Sequence, residues 1–494
     1  MGKPLVCVTV AAATTAELRQ RRDAAVTIDG ADLVEVRLDS VSDPDVAGAL
    51  QGRARPVIVT CRPSWEGGRF RGSEDERRQL LEQALTLGAE YVDIEWRAGF
   101  DDVIARTRGR RVILSMHDFD RVPDDLRASA TAMRATGAQV IKLAVKTNRL
   151  ADCVPLLDLG SHEGGDANLV VIGMGPHGIA TRILVERFGS AWSYAGAMGE
   201  IGQVTPTELR DEYGFSTVGK STAVYGLTGS PISHSVSPAM HNAAFRAVGL
   251  DAVYLPLPAA DADDFMQFAR ALRLNGASVT IPFKLSLLER MDDIDPMARR
   301  IGAINTICVV DGRWIGSNSD ADGFLAPLEE RGIGVTGMRA SILGAGGSAR
   351  AVAMALGSKG ADVQVHARNR TRAAEVAAAA SARVGPWPPE KDTWDLLVNC
   401  TPIGMHPRID ETPVVASTLT GSLVYDLVYN PPVTQLLSDA ARAGCQTIGG
   451  LDMLVAQAQL QFRSWTHIDP PAGVMRAAAT RRLTEFARDE NHIV

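Results

Sequence analysis

The stretch Val140-Ile141-Lys142-Leu143-Ala144-Val145 is an apolar run interrupted by one lysine. Such a run reads as a buried strand, and a charge inside it is rare unless it is paired or used. The same anomaly recurs along the first half of the chain. Glu35 and Arg37 sit in L-V-E-V-R-L, Arg62 follows V-I-V-T-C, and His117 follows V-I-L-S-M. Ionisable residues gathered from the carboxyl ends of successive parallel strands are how a (β/α)8 barrel assembles an active site.

Eight apolar runs, at 4–10, 33–38, 56–61, 90–95, 111–116, 138–143, 169–174 and 191–195, alternate with Ala/Leu/Arg-rich helical stretches. That count in that length predicts a compact barrel rather than an open α/β sheet, which periodicity alone also permits. Between Asp211 and Thr222 the sequence D-E-Y-G-F-S-T-V-G-K-S-T loses periodicity and marks a boundary. A second series starts at A-V-Y-G-L-T-G. A third opens near Gly337 with R-A-S-I-L-G-A-G-G-S-A-R, followed by strands at 363–367, 395–400 and 423–428. Residues 452–490 read as helices returning to the middle segment. The expected domains are 1–215, 222–330 completed by 452–490, and 331–451, all of α/β class.

At 494 residues the chain exceeds what one hydrophobic core supports. A hydrophobic share of 46% with 22% charged residues speaks against a disordered or membrane class. Interspersed charges summing to −7 argue against a dedicated nucleic-acid surface. The basic cluster Arg19 to Arg22 reads as the solvated face of an early helix. Six scattered cysteines show neither C-x-x-C nor metal-ligand spacing. Reduced thiols, no metal and a cytoplasmic setting are therefore expected. The opening M-G-K-P-L-V-C-V-T-V reads as entering a strand directly, without a signal segment, and no run of about 18 apolar residues predicts a membrane span.

Lys142 either snorkels to solvent or is held in the barrel mouth. An amine attacks a ketone only as the free base, and desolvation beside cations such as Arg37, Arg62 and Arg182 is expected to favour that form. His117 suits proton transfer near neutrality, unless it is a capping or core histidine. Glu35 and Arg37 share a strand face, either as an exposed pair or as an inward grip on hydroxyl or carboxylate groups. Taken in order, E-V-R-L-D, T-C-R-P-S-W-E-G-G, S-M-H-D-F, I-K-L-A-V and G-I-A-T-R-I resemble type I 3-dehydroquinate dehydratases over residues 1–210. The resemblance implies that Lys142 forms an imine with the C3 ketone of 3-dehydroquinate. It implies that His117, oriented by Glu66, takes the C2 proton and helps the C1 hydroxyl leave as water. Glu35, Arg37 and Arg62 would contact substrate, Arg182 its carboxylate, and Gln203 would belong to a lid. There Gly199-Glu200-Ile201-Gly202-Gln203 stands where the family has Ser-Ala-Pro-Gly-Gln, which is expected to alter affinity rather than chemistry.

G-A-G-G-S-A-R, from Gly344 through Ala345, Gly346, Gly347, Ser348 and Ala349 to Arg350, is a glycine turn suited to hold a pyrophosphate on backbone N–H groups. The next strand ends not in an acid, which would bind an NAD ribose, but in Arg368-Asn369-Arg370-Thr371-Arg372. That favours a 2′-phosphate, and so NADP(H), over a basic surface turn. Upstream, Ser235 and Ser237 either cap a helix starting at Pro238 or bind a small carboxylate. Thr280 and Lys284 lie in V-T-I-P-F-K, with Asn305 and Asp320 further on, and a lysine with an aspartate makes a proton-transfer pair. These strings, with N-C-T-P-I-G-M, Y-D-L-V-Y and M-L-V-A-Q, resemble shikimate dehydrogenases over residues 222–490. The resemblance implies a Lys284–Asp320 catalytic dyad and a carboxylate site at Ser235, Ser237 and Tyr429. It implies hydroxyl contacts by Thr280, Asn305, Asp320 and Gln457, and a 2′-phosphate site at Asn369, Arg370 and Thr371. Arg372 lies earlier on its helix than the family's second phosphate arginine. Thr401, Met405 and Gly450 would line the cofactor.

Together the resemblances predict a bifunctional enzyme of the shikimate route to chorismate and the aromatic amino acids. It would dehydrate 3-dehydroquinate, then reduce 3-dehydroshikimate to shikimate with NADPH. Two alternatives stand beside it: a second half that oxidises quinate, and a catalytically silent sensor of the same metabolites. The expected partners are these small molecules, with neither nucleic acid nor membrane, in a monomer or homodimer.

Overall fold

The computed structural model describes residues 4–163, 168–196 and 202–490. The chain forms two compact units, Met1–Ala223 with Asp251–Arg273, and Val224–Leu250 with Leu274–Val494.

In the first unit eight parallel strands are β1 Leu5–Val10, β2 Leu33–Arg37, β3 Val57–Thr60, β4 Tyr91–Glu95, β5 Val112–Asp118, β6 Val140–Lys146, β7 Leu169–Met174 and β8 Trp192–Ala195. They lie in the order β7-β6-β5-β4-β3-β2-β1-β8. At the remaining seam the Ala191 N–H donates to Leu169 O (2.8 Å), so the barrel is nearly closed, as its strand count predicts. β3 and β7 are buried along their whole length, which explains their continuous apolar runs. Cys7, Leu33, Ile58, Ile113, Val140 and Val170, from the first halves of their strands, join one apolar cluster. Burying each larger aliphatic side chain contributes about 1.5–3 kcal/mol. Ala144, Ile172, Met174 and Tyr194, from the later parts of β6, β7 and β8, join the same cluster, so this plug starts at the amino ends of the strands and continues up beside the polar side chains.

Helix Thr15–Thr27 corrects one expectation. Arg22 is not part of a solvated face; it is 2% exposed and donates to Ala49 O (2.6 Å) and Gln51 O (2.9 Å). It satisfies carbonyls left open at the end of helix Val46–Leu50. The segment Asp251–Arg273 carries β10 Ala252–Pro258, following β9 Ala223–Gly229, and helix Ala262–Leu272. Its wholly buried Asp264 accepts from the N–H groups of Leu150 (3.1 Å) and Ala151 (2.8 Å), just past β6.

In the second unit β9, β11 Gly276–Val279, β13 Thr306–Val310, β14 Arg313–Ser317 and β12 Asp293–Ile294 lie side by side in that order. A separate parallel sheet contains β15 Arg339–Leu343, β16 Asp362–His366, β17 Arg383–Val384, β18 Leu396–Asn399, β19 Leu423–Asp426 and β20 Gln446–Ile448. Its order β17-β16-β15-β18-β19-β20 is the doubly wound 3-2-1-4-5-6 arrangement. Ligands of such sheets bind past the strand ends where the order reverses, here between β15 and β18. Ala349, Val352, Ala353 and Leu356 of helix Gly347–Ser358 pack against Ile342, Val365 and Val398 in one core. Helix Gly450–Thr466 lies against the first of these sheets: the Gln461 amide donates to Asn305 O (2.9 Å) and the Trp465 indole to Ile307 O (2.9 Å). Among the described residues no helix is long and apolar enough to cross a membrane.

Candidate active sites

The first site lies at the carboxyl ends of the barrel strands. Lys142, 4% exposed, does not snorkel: its Nζ donates to Asp93 Oδ2 (3.1 Å), stands 3.6 Å from Glu35 Oε1 and lies 4.3 Å from the Tyr194 ring centroid. This corrects the expected surroundings of the amine. Its direct charged partners are carboxylates, one of which, Asp93, it shares with Arg62. Arg62 bonds Glu95 (2.7 Å) and Asp93 (3.1 Å), and Arg37 grips Asp39 with two bonds (2.8 and 2.7 Å). The reason is electrostatic, because a buried charge persists only where it is paired. Arg62, Arg77 and Lys142 face Glu35, Asp93 and Glu95, all at most 4–5% exposed.

Glu35 also accepts from the hydroxyls of Thr9 and Thr60 (both 2.8 Å). Burial works against its charge, but Lys142 and Arg37 outweigh burial and hold its carboxyl below the usual range. Asp93 is likewise held low: burial opposes its charge, while Arg62 and Lys142 favour it. His117 sits further along β5 than Ser115, the register partner of Lys142. Its Nδ1 and its backbone N–H both meet Glu66 Oε1 (2.9 and 3.0 Å), so Nε2 is the nitrogen turned away from the carboxyl. Burial, reinforced by Arg62 and Lys142, pushes His117 well below its usual value, so the ring is neutral at pH 7. Burial raises Glu66 to about 7. Arg182, on helix Ile179–Ile183, is 3% exposed, donates to Tyr194 O (3.3 Å), and is lowered by burial to about 10. Gln203 reaches Gly196 so closely that a Cβ there would stand 2.4 Å from its Oε1. Gly199, Glu200 and Ile201 of the expected lid lie outside the described residues.

Asp93, Glu95, Ser115 and Tyr194 were not singled out from the sequence, although Asp93 in Y-V-D-I-E bears the same mark as Glu35, a charge inside an apolar strand. Ser115 donates to Asp93 Oδ1 (2.5 Å) and accepts from Arg62 (2.8 Å), fixing both.

The second site belongs to the second unit. Lys284 is ion-paired with Asp320 Oδ2 and donates to Ser348 Oγ (3.3 Å) in the glycine turn. Asp320 opens helix Asp320–Glu330, and its Oδ1 accepts from Asn305 Nδ2 (2.7 Å). Asn305 Nδ2 also faces Gln457 Oε1 (3.3 Å), so four of the expected residues form one polar cluster. Ser319 and Gln461, which were not anticipated, orient Asn305: Ser319 N–H donates to Asn305 Oδ1 (2.8 Å), and Gln461 holds its backbone carbonyl. Ser235 accepts from Ser237 N–H (3.2 Å) at the start of helix Ser237–Ala247, one residue before the expected Pro238. It also meets the half-buried Tyr429 hydroxyl, which joins the three residues of the expected carboxylate site. Thr280 follows β11, its N–H donating to Thr228 O (2.9 Å).

The glycine turn fits a dinucleotide. Gly344 has φ +116°, and a Cβ there would stand 3.1 Å from Cys400 O, whereas a Cβ on Gly346 would meet nothing within 4 Å. Open space therefore faces the N-terminus of helix Gly347–Ser358, where N–H groups favour an anion. Asn369 caps helix Arg370–Ala379 by accepting from Arg372 N–H (3.1 Å), leaving Arg368, Arg370, Thr371 and Arg372 exposed past β16. Asn399 Oδ1 holds Thr401 through its N–H (3.0 Å) and hydroxyl (2.7 Å), and Met405 is 40% exposed. Gly450 abuts backbone, since a Cβ there would lie 2.3 Å from Leu427 O. Among the described residues no group of three His, Cys, Asp or Glu gathers as a metal site.

A family model for type I 3-dehydroquinase matches residues 6–220. One for the shikimate dehydrogenase substrate-binding domain matches 227–307, and one for the shikimate 5′-dehydrogenase C-terminal domain matches 450–480. The chain is 34% identical over 481 residues to the chloroplastic bifunctional 3-dehydroquinate dehydratase/shikimate dehydrogenase of Arabidopsis thaliana, covering 90% of this chain and 79% of that protein. It is 45% identical over 271 residues to the NADP(+) shikimate dehydrogenase of Moorella thermoacetica, covering 52% of this chain and 92% of the relative. A crystal structure of shikimate dehydrogenase in complex with NADP+ superposes with a TM-score of 0.51 at 37% identity, over 53% of this chain and 96% of that one.

Proposed function

Because the chain belongs to the bifunctional 3-dehydroquinate dehydratase/shikimate dehydrogenase family, we propose that its two sites perform consecutive steps through the residues described above. The observation that carries the first step is Lys142 enclosed by two ionised carboxylates beside a neutral histidine. The Lys142 amine adds to the substrate ketone, water leaves, and an iminium forms. Asp93 and Glu35 flank that cation and keep it charged, which acidifies the adjacent C2–H. His117 Nε2 removes the C2 proton, the C1 hydroxyl departs with a proton as water, and hydrolysis of the iminium frees Lys142. Arg182, a buried cation, suits the substrate carboxylate.

In the second site NADPH, when bound, supplies a hydride. The N–H groups at Gly346 and Gly347 suit its pyrophosphate, while Arg370 and Thr371 suit its 2′-phosphate. Lys284 donates a proton to the C3 oxygen as the ketone is reduced, and Asp320, braced by Asn305, orients the ammonium. Ser235, Ser237 and Tyr429 hold the carboxylate; Thr280 and Gln457 read hydroxyls. The corresponding domains are 1–215, 222–330 with 452–490, and 331–451. Six cysteines without a disulfide fit a reducing cytoplasm, and the chain acts as a monomer or homodimer.

The test is borohydride reduction in the presence of 3-dehydroquinate with mass mapping of the adduct, and NADPH oxidation on adding 3-dehydroshikimate. An adduct on Lys142 and NADPH turnover are expected. An adduct elsewhere, or no turnover, refutes the corresponding assignment.

A further inference from the structure

At the ends of neighbouring strands β18 and β19, the register partners Asn399 and Asp426 are both wholly buried. Asp426 Oδ1 accepts from Asn399 Nδ2 (2.9 Å) and from the Val428 N–H (3.1 Å), and its Oδ2 accepts from the Thr434 hydroxyl (2.7 Å). These donors are all neutral. A buried carboxylate held by neutral donors is an expensive way to fill space. What it offers instead is acceptors on both oxygens and no donor.

That one-sidedness orients Asn399. Its amide NH2 must face Asp426, and the same NH2 also reaches Ile403 O (3.2 Å). The Asn399 carbonyl oxygen is thereby turned to the N–H and hydroxyl of Thr401, and the Thr401 hydroxyl in turn accepts from the Ile403 N–H (3.2 Å). The same oxygen, Oδ1, fixes the N–H of Val428, the residue before Tyr429. The two segments meet once more where the His406 N–H donates to Asn430 O (3.0 Å).

We propose that Asp426 is a positioning residue of the second site, one carboxylate that sets both the Thr401–Met405 loop and the Val428–Tyr429 turn. The proposal rests on the reading given above, in which that loop faces NADP and Tyr429 faces the substrate carboxylate. Asp426 thus couples cofactor and substrate binding without touching either.

Removing and then restoring the acceptor tests it. In Asp426→Ala the Asn399 amide and the Val428 N–H both lose their acceptor, so the KM values for NADP and for shikimate both rise about tenfold, kcat falling less. In Asp426→Asn the amide oxygen takes the place of Oδ1 and keeps both bonds, while its NH2 turns to the Thr434 hydroxyl, so both KM values return toward wild type. Should Asp426→Ala fail to fold, Asn399→Ala carries the test: it releases the Thr401–Met405 loop alone, raising the KM for NADP and leaving that for shikimate, a split that general destabilisation does not produce. Either KM unchanged in Asp426→Ala, no recovery in Asp426→Asn, or no such split in Asn399→Ala overturns the proposal. A wild-type chain that oxidises shikimate with NADP while the variants match it leaves the functional reading intact and removes this inference alone. A wild-type chain without that activity removes both.

Discussion

Asp93 Oδ2 accepts from Lys142 Nζ at 3.1 Å, although 49 residues separate the two in sequence. Arg62 and Ser115 hold the other carboxylate oxygen, so Asp93 is fixed before any substrate arrives. Its placement suits the iminium that the proposed mechanism forms on Lys142. Asp93→Asn is expected to slow dehydration about 10²–10³-fold, the scale for removing one fixed group that stabilises developing charge. Steady-state rates with 3-dehydroquinate, and the rate of borohydride trapping, check this; an unchanged trapping rate would detach Asp93 from iminium formation.

Glu66 gives a pH signature. Its folded value, about 7, lies above the ordinary 4.5 because of burial. A carboxyl raised in the folded state contributes stability that is complete below its unfolded value and lost as pH rises through the folded one. Glu66→Gln removes that dependence. The Tm of the variant relative to wild type should therefore increase from about pH 5 to about pH 8. His117, lowered in the folded state, contributes in the opposite sense, with stability lost as pH falls below 6.5, and is present in both proteins. A relative Tm that falls across the window would contradict the assignment.

Dehydration should suffer in the same variant. Glutamine cannot take up the charge that appears when His117 is protonated, so a loss of about 10²-fold is expected. Rates measured across the same pH range would also lose the limb near pH 7 that Glu66 provides.

Exposed Arg370 and Arg368 lie past β16, where a 2′-phosphate would sit. Replacing Arg370 with serine removes charge-assisted bonds worth about 1.5–3 kcal/mol, or about 10–10² in KM for NADPH. The KM for NADH should stay near its wild-type value. Equal losses with both cofactors would show that Arg370 does not read the phosphate.

At Gly344 the backbone has φ +116° and leaves 3.1 Å between a built Cβ and Cys400 O. Gly344→Ala should strain the turn by about 1–3 kcal/mol and weaken NADP binding, while dehydration of 3-dehydroquinate is unaffected. Titration of NADP by fluorescence quenching checks it; wild-type affinity would mean the turn does not contact the cofactor.

Much of this was legible in local strings. Eight strands announced themselves because a strand buried on both faces is a contiguous apolar run. Lys142 and His117 stood out as ionisable interruptions at the ends of such runs, and the glycine turn was visible because strand, glycines and helix are consecutive. Asp93 carried the same mark in Y-V-D-I-E, but nothing in that string tells whether its side chain meets Lys142, Arg62 or solvent. Arg22 was misplaced for the same reason: a basic cluster on a helix does not disclose which arginine turns inward to the Ala49 carbonyl. Ser319 and Gln461 are ordinary polar residues that gain a role only by meeting Asn305.

The α/β class, the eight-stranded first half, the doubly wound segment and the positions of Lys142 and Lys284 beside apolar strands were all readable locally. They are written in contiguous apolar runs and motifs. That carboxylates rather than arginines surround Lys142, that Glu66 holds His117 by two bonds, and that Asp426 accepts from Asn399 emerges only from the folded chain. Each of those outcomes is a choice among charged or polar partners far apart in the chain, and it is made by the cost of leaving any buried one unpaired.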